Sequence, residues 1–220
     1  MQGRLITFEG IDGVGKTTQL QCVRSWLADA GWARSLVATR EPGGTAIGRH
    51  LRSVLLQIDD ETLDDRAELL LYAADRAQHL AEVIMPALEA GQWVLCDRFT
   101  DSTIAYQGFG RGLDMGLVEQ SVEIATQGVK PDLTLWFDVD PTLAVARRQA
   151  RSGKGDRLEA AGLEFQQRVR EGFQALAKQC PERIVRLDAR MDAKALFAAV
   201  KSVLEPRLKQ WLPEDLVEAG

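Results

Sequence analysis

The chain has few of the residues that build disulfide frameworks and most metal sites. Its 220 residues include only three cysteines and two histidines. Cys22, Cys96 and Cys180 are odd in number and far apart, and neither His50 nor His79 stands at a metal-ligand spacing. We therefore expect no disulfide and no metal site built on histidine or cysteine, and we interpret each cysteine as a small buried apolar residue.

Long apolar runs, excess positive charge and flexible linkers are also missing. No run approaches the ~20 apolar residues that span a bilayer, and residues 1–4 enter a strand at once, leaving no room for a signal peptide. A net charge of −5 argues against nucleic acid or an anionic membrane as a partner. With no linker rich in proline, glycine or serine, the sequence predicts one cytoplasmic domain over residues 1–220.

A glycine-rich stretch, FEGIDGVGKTT from Phe8 to Thr18, directly follows the apolar run that begins at Leu5. It matches the phosphate-binding P-loop and lies between a predicted strand and a predicted helix, as that loop requires. Its glycines let backbone N–H groups converge on phosphate oxygens, and the positive end of the helix faces the same anion. The predicted ATP-binding residues are Gly10, Ile11, Asp12, Gly13, Val14, Gly15, Lys16, Thr17 and Thr18.

Apolar strand patterns alternate with helical ones along the whole chain. This alternation predicts an α/β fold of the doubly wound P-loop NTPase type, with a five-stranded parallel sheet flanked by helices. Ligands of such sheets bind beyond the carboxyl ends of the strands. The predicted strands are Leu5–Phe8, Ser35–Thr39, Gln92–Cys96, Leu133–Val139 and Ile184–Leu187.

Three charged or glycine-rich clusters follow predicted strands and should meet at one edge of the sheet. They are Glu9–Lys16, Arg40–Thr45 and Asp97–Ser102. The chain has no Asn/Thr-Lys-x-Asp segment of the kind that reads guanine in GTPases. Arg98 stands where a motor ATPase would carry a water-activating carboxylate, and a guanidinium suits a second phosphate better than water. The pattern indicates a phosphoryl transferase with a phosphorylated acceptor.

Four segments together resemble the bacterial thymidylate kinases, in order and at similar separations. They are FEGIDGVGKTTQ from Phe8, TREPGGT from Thr39, DRFTDSTIAYQG from Asp97 and DRLE from Asp156. The resemblance implies a nucleoside monophosphate kinase that transfers the γ-phosphoryl group of ATP to dTMP, giving dTDP and ADP for dTTP synthesis. It also implies magnesium as cofactor and a homodimer.

The resemblance assigns roles to residues on the acceptor side. Arg98 is similar to the clamp on the dTMP phosphate, Tyr72 to an aromatic surface under thymine, and Arg76 to a donor to the thymine ring oxygen. Tyr106 is similar to the ring under C2′ that disfavours a ribose hydroxyl, whereas Phe99 departs from the tyrosine expected after Asp-Arg. The predicted substrate-binding residues are Glu9, Arg40, Pro42, Tyr72, Arg76, Asp97, Arg98, Ser102, Thr103, Tyr106 and Gln107.

Metal and catalytic roles come from the P-loop and from a basic lid over about residues 147–158. The predicted magnesium-side residues are Thr17, Asp97 and Asp12, and Asp12 also resembles the family's acidic residue near the acceptor 3′-hydroxyl. The basic run in the lid is also compatible with a solvated helix end. The predicted catalytic residues are Lys16, Arg98 and Asp12, with Arg151 and Arg157 as alternative lid cations for the γ-phosphate.

Some alternatives stay open at this point. Kinases for dUMP, UMP or a nucleoside remain rivals, as does a nucleotide-binding module that switches partners without turnover. The helical stretch Leu63–Ala90, predicted to kink or divide near Pro86, places Leu70, Leu71, Ala74 and Ala77 on one side. That side could pack against a second copy of the chain or against the chain's own sheet.

Overall fold

In a computed structural model of the protein, residues 3–31, 36–57, 63–150, 157–158 and 161–211 are described, without the side chain of Arg148. Five strands form one sheet, and every neighbouring pair in it is parallel. They are β1 (Arg4–Glu9), β2 (Leu36–Arg40), β3 (Trp93–Asp97), β4 (Leu133–Asp138) and β5 (Ile184–Asp188). The order β2-β3-β1-β4-β5 confirms the predicted parallel α/β sheet.

The central strands are apolar because helices cover both faces of the sheet. All six residues of β4 are buried, as are the first four of β3. Phe8 on β1 stacks on Phe137 on β4, with ring centroids 6.0 Å apart. This packing fixes the strand ends from which the site loops leave.

The helices begin and end close to the sequence-based predictions. The long stretch divides near Pro86, as predicted, and a π-helical turn over Leu80–Ile84 precedes a short helix that contains Pro86. Proline has no N–H to donate to the preceding turn, and the wider turn lies just before it. The helices are α1 (Lys16–Asp29), α2 (Ala46–Leu56), α3 (Asp65–His79), α4 (Met85–Glu89), α5 (Thr100–Thr103), α6 (Met115–Thr126), α7 (Pro141–Ala150), α8 (Leu163–Gln179) and α9 (Ala193–Trp211), with a second π-helical segment at Ile104–Gly110.

Helix α3 turns its charged side inward. Its buried polar residues include Glu68, Asp75, Arg76 and His79. On the opposite side Ala74 and Ala77 are exposed, and Leu70 is 62% exposed. Packing of this apolar side on the chain's own sheet, one of the two alternatives above, is therefore wrong. The inward face of α3 instead forms part of a polar cleft.

The cysteine interpretation holds for one residue of three. Cys96 is buried, whereas Cys22 and Cys180 are only partly buried, and all three thiols are free. In the described parts of the chain, every helix is too short or too polar to cross a bilayer.

Candidate active site

The loop between β1 and α1 needs glycine at particular positions. Gly10 has a φ of 132°, and a Cβ there would lie 2.5 Å from the carbonyl oxygen of Phe137. Gly15 caps the N-terminus of α1 with a φ of 94°. Both torsions are strained for other residues. With glycine at both positions, backbone N–H groups at the positive end of α1 can approach an anion closely.

Lys16 is buried at the first position of α1, and its ammonium group faces its own loop. Its Nζ donates to the carbonyl oxygens of Gly10, at 3.0 Å, and Ile11, at 2.9 Å. Burial and the nearby Arg98 guanidinium lower its pKa, while Asp12, with Oδ1 at 3.6 Å from Nζ, opposes this effect. An anion bound in the loop would therefore compensate a buried, partly unbalanced positive charge.

The sheet register brings the three predicted clusters together. Phe8, the residue before the last in β1, pairs with Asp97 at the end of β3, and Arg40 at the end of β2 also pairs with Asp97. The Glu41–Pro42 peptide bond that follows β2 is cis. The loops after these strands therefore leave the same edge side by side, as predicted.

Arg98 connects the donor loop to the loop after β3. Its φ of 73° lies in the left-handed region, which few residues other than glycine adopt and which costs on the order of 1 kcal/mol. Its guanidinium donates to the Gly10 carbonyl at 2.9 Å, to Ser102 Oγ at 3.1 Å and to Asp12 Oδ1 at 2.7 Å. A strained backbone that aims a cation between two loops is typical of a functional position.

Electrostatics keep Arg98 charged although it is largely buried. Burial lowers its pKa, but the Asp12 carboxylate and other acidic neighbours more than offset this and raise it above the ordinary value. The guanidinium carbon also lies 5.0 Å from the centre of the Tyr106 ring. The cation therefore sits over an aromatic face at the mouth of a cleft.

The cleft beside Arg98 contains about 490 Å³ of space, part of it open to solvent, and has the mixed lining of small-molecule sites. It holds aromatic, aliphatic and charged side chains together, as such sites do. Its lining residues are Asp12, Glu41, Pro42, Arg52, Leu56, Tyr72, Arg76, Arg98, Ser102, Thr103, Tyr106, Gln107 and Leu158.

The floor of the cleft is an ion pair that sequence reasoning did not identify. Arg76, only 2% exposed, donates from Nε to Glu41 Oε2 at 2.8 Å and from Nη1 to Thr103 Oγ1 at 2.7 Å. Glu41 Oε1 lies 2.9 Å from His79 Nδ1. Removing one partner of such a buried pair leaves an uncompensated charge. The pair therefore holds Arg76 in one orientation.

Glu9 supports the cleft from behind. It is fully buried, accepts the Phe99 N–H at 2.7 Å, and accepts the Ser102 hydroxyl at 2.5 Å. Burial, together with the nearby Asp101 carboxylate, raises the pKa of Glu9 to about 7. Glu9 therefore orders the loop that carries Ser102 and does not line the cleft.

Thr17 and Asp97 form an oxygen pair on the donor side. The Thr17 hydroxyl donates a hydrogen bond to Asp97 Oδ2 at 3.0 Å. Hydroxyl and carboxylate oxygens are both suitable ligands for magnesium. Both residues, with Arg40, line a second cavity beside the P-loop. In the described chain, no cluster of three His, Cys, Asp or Glu side chains could hold a metal ion. Thr17 and Asp97 alone would suit a magnesium ion whose other ligands include phosphate oxygens.

Comparison with known proteins decides the family. The family model described as thymidylate kinase matches residues 8–200. The chain belongs to the thymidylate kinase family.

The match extends over whole proteins. The thymidylate kinases of Acaryochloris marina and Cyanothece are 47% and 50% identical to the chain, with 97% of the chain covered and 100% and 98% of theirs. That of a Synechococcus is 54% identical over 92% of the chain and 95% of its own length. The crystal structure of thymidylate kinase from Ehrlichia chaffeensis superposes with a TM-score of 0.75 at 36% identity, covering 93% of the chain and 99% of that structure.

Most family-implied acceptor residues meet at one place. Nine of the predicted site residues line the cleft, whereas Arg40 and Asp97 line the second cavity and Glu9 lies behind. The nine are Asp12, Pro42, Tyr72, Arg76, Arg98, Ser102, Thr103, Tyr106 and Gln107.

The predicted lid lies partly outside the described residues. Arg151 and Lys154 lie outside the described residues, as do Asp156 and Glu159 of the DRLE segment. Arg157 is described, and its guanidinium binds the Leu55 carbonyl at 3.0 Å and the buried carboxylate of Glu68. It therefore faces α2 and α3. Neither Glu68 nor Arg111, another residue bound to it, matched a motif, so the sequence did not identify either.

Proposed function

We propose that the protein transfers the γ-phosphoryl group of ATP to dTMP, giving dTDP and ADP. The observation that carries this proposal is the placement of Arg98. Its guanidinium touches Gly10 and Asp12 of the donor loop and Ser102 of the acceptor cleft at once. A cation at that junction suits an acceptor that is itself a phosphate. Membership of the thymidylate kinase family names the acceptor.

On the donor side, the P-loop amides and Lys16 hold the ATP phosphates. Lys16 exchanges its two carbonyl partners for β- and γ-phosphate oxygens, and its charge then stabilises the transferring group. Gly10, Ile11, Gly13, Val14, Gly15 and Thr18 contribute loop and helix N-terminal amides.

Thr17 and Asp97 are the residues we propose to hold magnesium. A magnesium ion held there would neutralise charge on the ATP phosphates. Asp12 fits this role less well, because Asp12 Oδ1 is paired with Arg98 at 2.7 Å. We assign Asp12 instead to holding Arg98 and to the acceptor side of the junction.

On the acceptor side, the aromatic and polar residues of the cleft divide between base and sugar. Tyr72 and Pro42 supply apolar surface for the base, and Arg76 supplies donors that Glu41 holds in place. We assign Tyr106, whose ring lies under Arg98 in the cleft, to excluding a ribose hydroxyl. Positioning does most of the chemical work, because the attacking group is already an anionic phosphate oxygen.

For the lid, we propose Arg151 as the cation over the migrating phosphoryl group. Arg157 remains the alternative, but its guanidinium is bound to Glu68 and to the Leu55 carbonyl on the acceptor side.

We also propose that the protein is a homodimer. The packed helices α2, α3 and α6 carry exposed apolar side chains, some spaced seven residues apart and therefore on one helix face. They are Ile47, Val54, Leu70, Leu117 and Ile124. Sedimentation equilibrium of the wild-type chain measures this directly, and a monomer mass at micromolar concentration contradicts it.

We also propose a cytoplasmic location, which the three free thiols support.

The test of the reaction is ADP release from ATP and magnesium with a panel of acceptors: dTMP, dUMP, UMP, CMP, AMP, GMP and free thymidine. We expect stimulation chiefly by dTMP. If no acceptor stimulates ADP release in protein that still binds ATP, the result would contradict the proposal and support a nucleotide-binding module that switches partners without turnover.

A further inference from the structure

Glu68 is a buried carboxylate behind the acceptor cleft to which the proposed function assigns no role. It is fully buried on α3 and accepts from Gln107 Nε2 at 2.7 Å and from Arg111 Nη2 at 3.0 Å. Arg157 also pairs with it. Gln107 lines the cleft, so Glu68 touches a cleft residue from the protein side.

The charge state of Glu68 is settled by these partners. Burial alone would raise its pKa, but hydrogen bonds from Arg111 and Gln107 and the charge of Arg157 lower it below the ordinary value. An ionised carboxylate only accepts hydrogen bonds. Only the NH₂ group of the Gln107 amide can therefore face Glu68.

Fixing the NH₂ group also fixes the other end of the amide. The carbonyl oxygen and the NH₂ group of a primary amide point in directions about 120° apart. With its NH₂ group on Glu68, Gln107 has its carbonyl oxygen directed away from that carboxylate, and because Gln107 lines the cleft we infer that this oxygen is the acceptor it offers there. Without Glu68, either end of the amide could face the cleft.

The cleft then presents one acceptor beside a set of donors. Three of the five N–H groups of Arg76 are bonded, to Glu41, Thr103 and Phe99, within the described part of the protein. The guanidinium cannot act as an acceptor. Thymine has a ring N–H flanked by carbonyl oxygens and matches this arrangement. Cytosine has a ring nitrogen acceptor beside an amino donor and reverses both groups.

We propose that Glu68 is a positioning residue for base selection, holding the Gln107 amide so that the cleft accepts pyrimidines with a ring N–H and rejects cytosine. The inference rests on the proposed function, since it concerns the acceptor of that reaction. Discrimination follows because the wrong base leaves buried polar groups unpaired.

A purely structural role for Glu68 would have different consequences. If the carboxylate served only to hold Arg111 and the segment at Arg157, its loss would weaken the fold and all acceptors alike. Base selection through Gln107 changes the ratio between acceptors instead. The ratio of kcat/KM for dTMP to that for dCMP is therefore the decisive quantity.

The experiment compares Glu68→Gln with wild type and with Glu89→Gln, a matched change at an exposed glutamate of α4. Glutamine has nearly the same shape as glutamate but can face Gln107 with either amide end. We expect the dTMP-to-dCMP ratio to fall about tenfold or more in Glu68→Gln, mainly through a higher KM for dTMP, and to stay unchanged in Glu89→Gln. An unchanged ratio in folded Glu68→Gln overturns the proposal.

A second variant tests the route through Gln107 and guards against misfolding. Gln107→Leu should lose the same discrimination, and adding Glu68→Gln to it should change the ratio no further. An unchanged ratio in Gln107→Leu, or an equal further loss in the double variant, overturns the proposal. Dissociation constants for dTMP and dCMP, measured by calorimetry, give the same comparison without turnover. A wild type that binds dTMP selectively but does not phosphorylate it would contradict the proposed function and leave base selection supported.

Discussion

Phe8 to Thr18 supply the donor loop from one stretch of chain, whereas the acceptor cleft takes most of its side chains from the loop after β2, from α2 and α3, and from the segment after β3. The donor loop works through backbone groups whose geometry is set by glycines at fixed positions. The cleft works through side chains that buried ion pairs hold in place, such as Arg76 with Glu41. A local motif can therefore define phosphate binding, while acceptor choice depends on contacts between distant segments.

The largest loss of activity is expected from a substitution in the donor loop. Lys16→Ala removes the buried ammonium group and should lower kcat by about three orders of magnitude, because its charge acts on the transferring phosphates. Affinity for dTMP should change little. ADP release and dTMP calorimetry measure the two effects, with the exposed Lys194→Ala as control. Activity within a few-fold of wild type would remove Lys16 from the donor site.

A substitution in the acceptor cleft should have a smaller effect, which changes the preference between acceptors. Tyr106 packs against Phe165 and Phe173 and lies under Arg98. Tyr106→Ala should raise the use of ribonucleotides relative to dTMP about tenfold, because the ring no longer fills the space beside C2′. Tyr106→Phe keeps the ring and should keep the preference. Equal preferences in both variants, in protein that melts as wild type does, would exclude sugar discrimination by the ring.

A third effect concerns the stability of the fold rather than turnover; it arises at Glu9, behind the cleft, and depends on pH. A carboxyl group whose pKa is higher in the folded than in the unfolded state stabilises the fold at low pH and loses that contribution as pH rises. For Glu9, with a folded pKa of about 7, this loss between pH 5 and pH 8 is on the order of 2 kcal/mol.

Glu9→Gln should abolish this part of the pH dependence. The free energy of unfolding, measured with urea at pH 5 and pH 8, is therefore expected to fall more for wild type than for the variant. An identical fall in both proteins would mean that Glu9 is ionised throughout this range.

The fold was predictable because its signals are local. Apolar strands such as Trp93–Asp97 and the P-loop glycines are visible in short windows of sequence. Arg98 was also predictable, since it directly follows a strand. Its strained φ of 73° was not, because that torsion depends on contacts with Gly10 and Asp12 far along the chain.

The remaining parts of the site carry no local signal. Glu68 and Arg111 resemble ordinary surface charges in sequence, yet they meet in a buried cluster with Gln107. The prediction of which face of α3 is buried was wrong for the same reason. Its buried residues are charged, while Leu70 is exposed. Helical periodicity locates the core only where the core is apolar. Charged residues buried around a ligand site invert that pattern.

The central claim is that Arg98, beside the donor loop, binds the phosphate of the acceptor. Calorimetry with dTMP and thymidine tests this claim most directly. These ligands differ only in the phosphate. We expect wild type to bind dTMP about 100-fold more tightly than thymidine, and Arg98→Ala to bind the two nearly alike with ATP affinity within a few-fold of wild type. A variant that keeps the full preference for dTMP, or that loses ATP binding equally, would contradict the account.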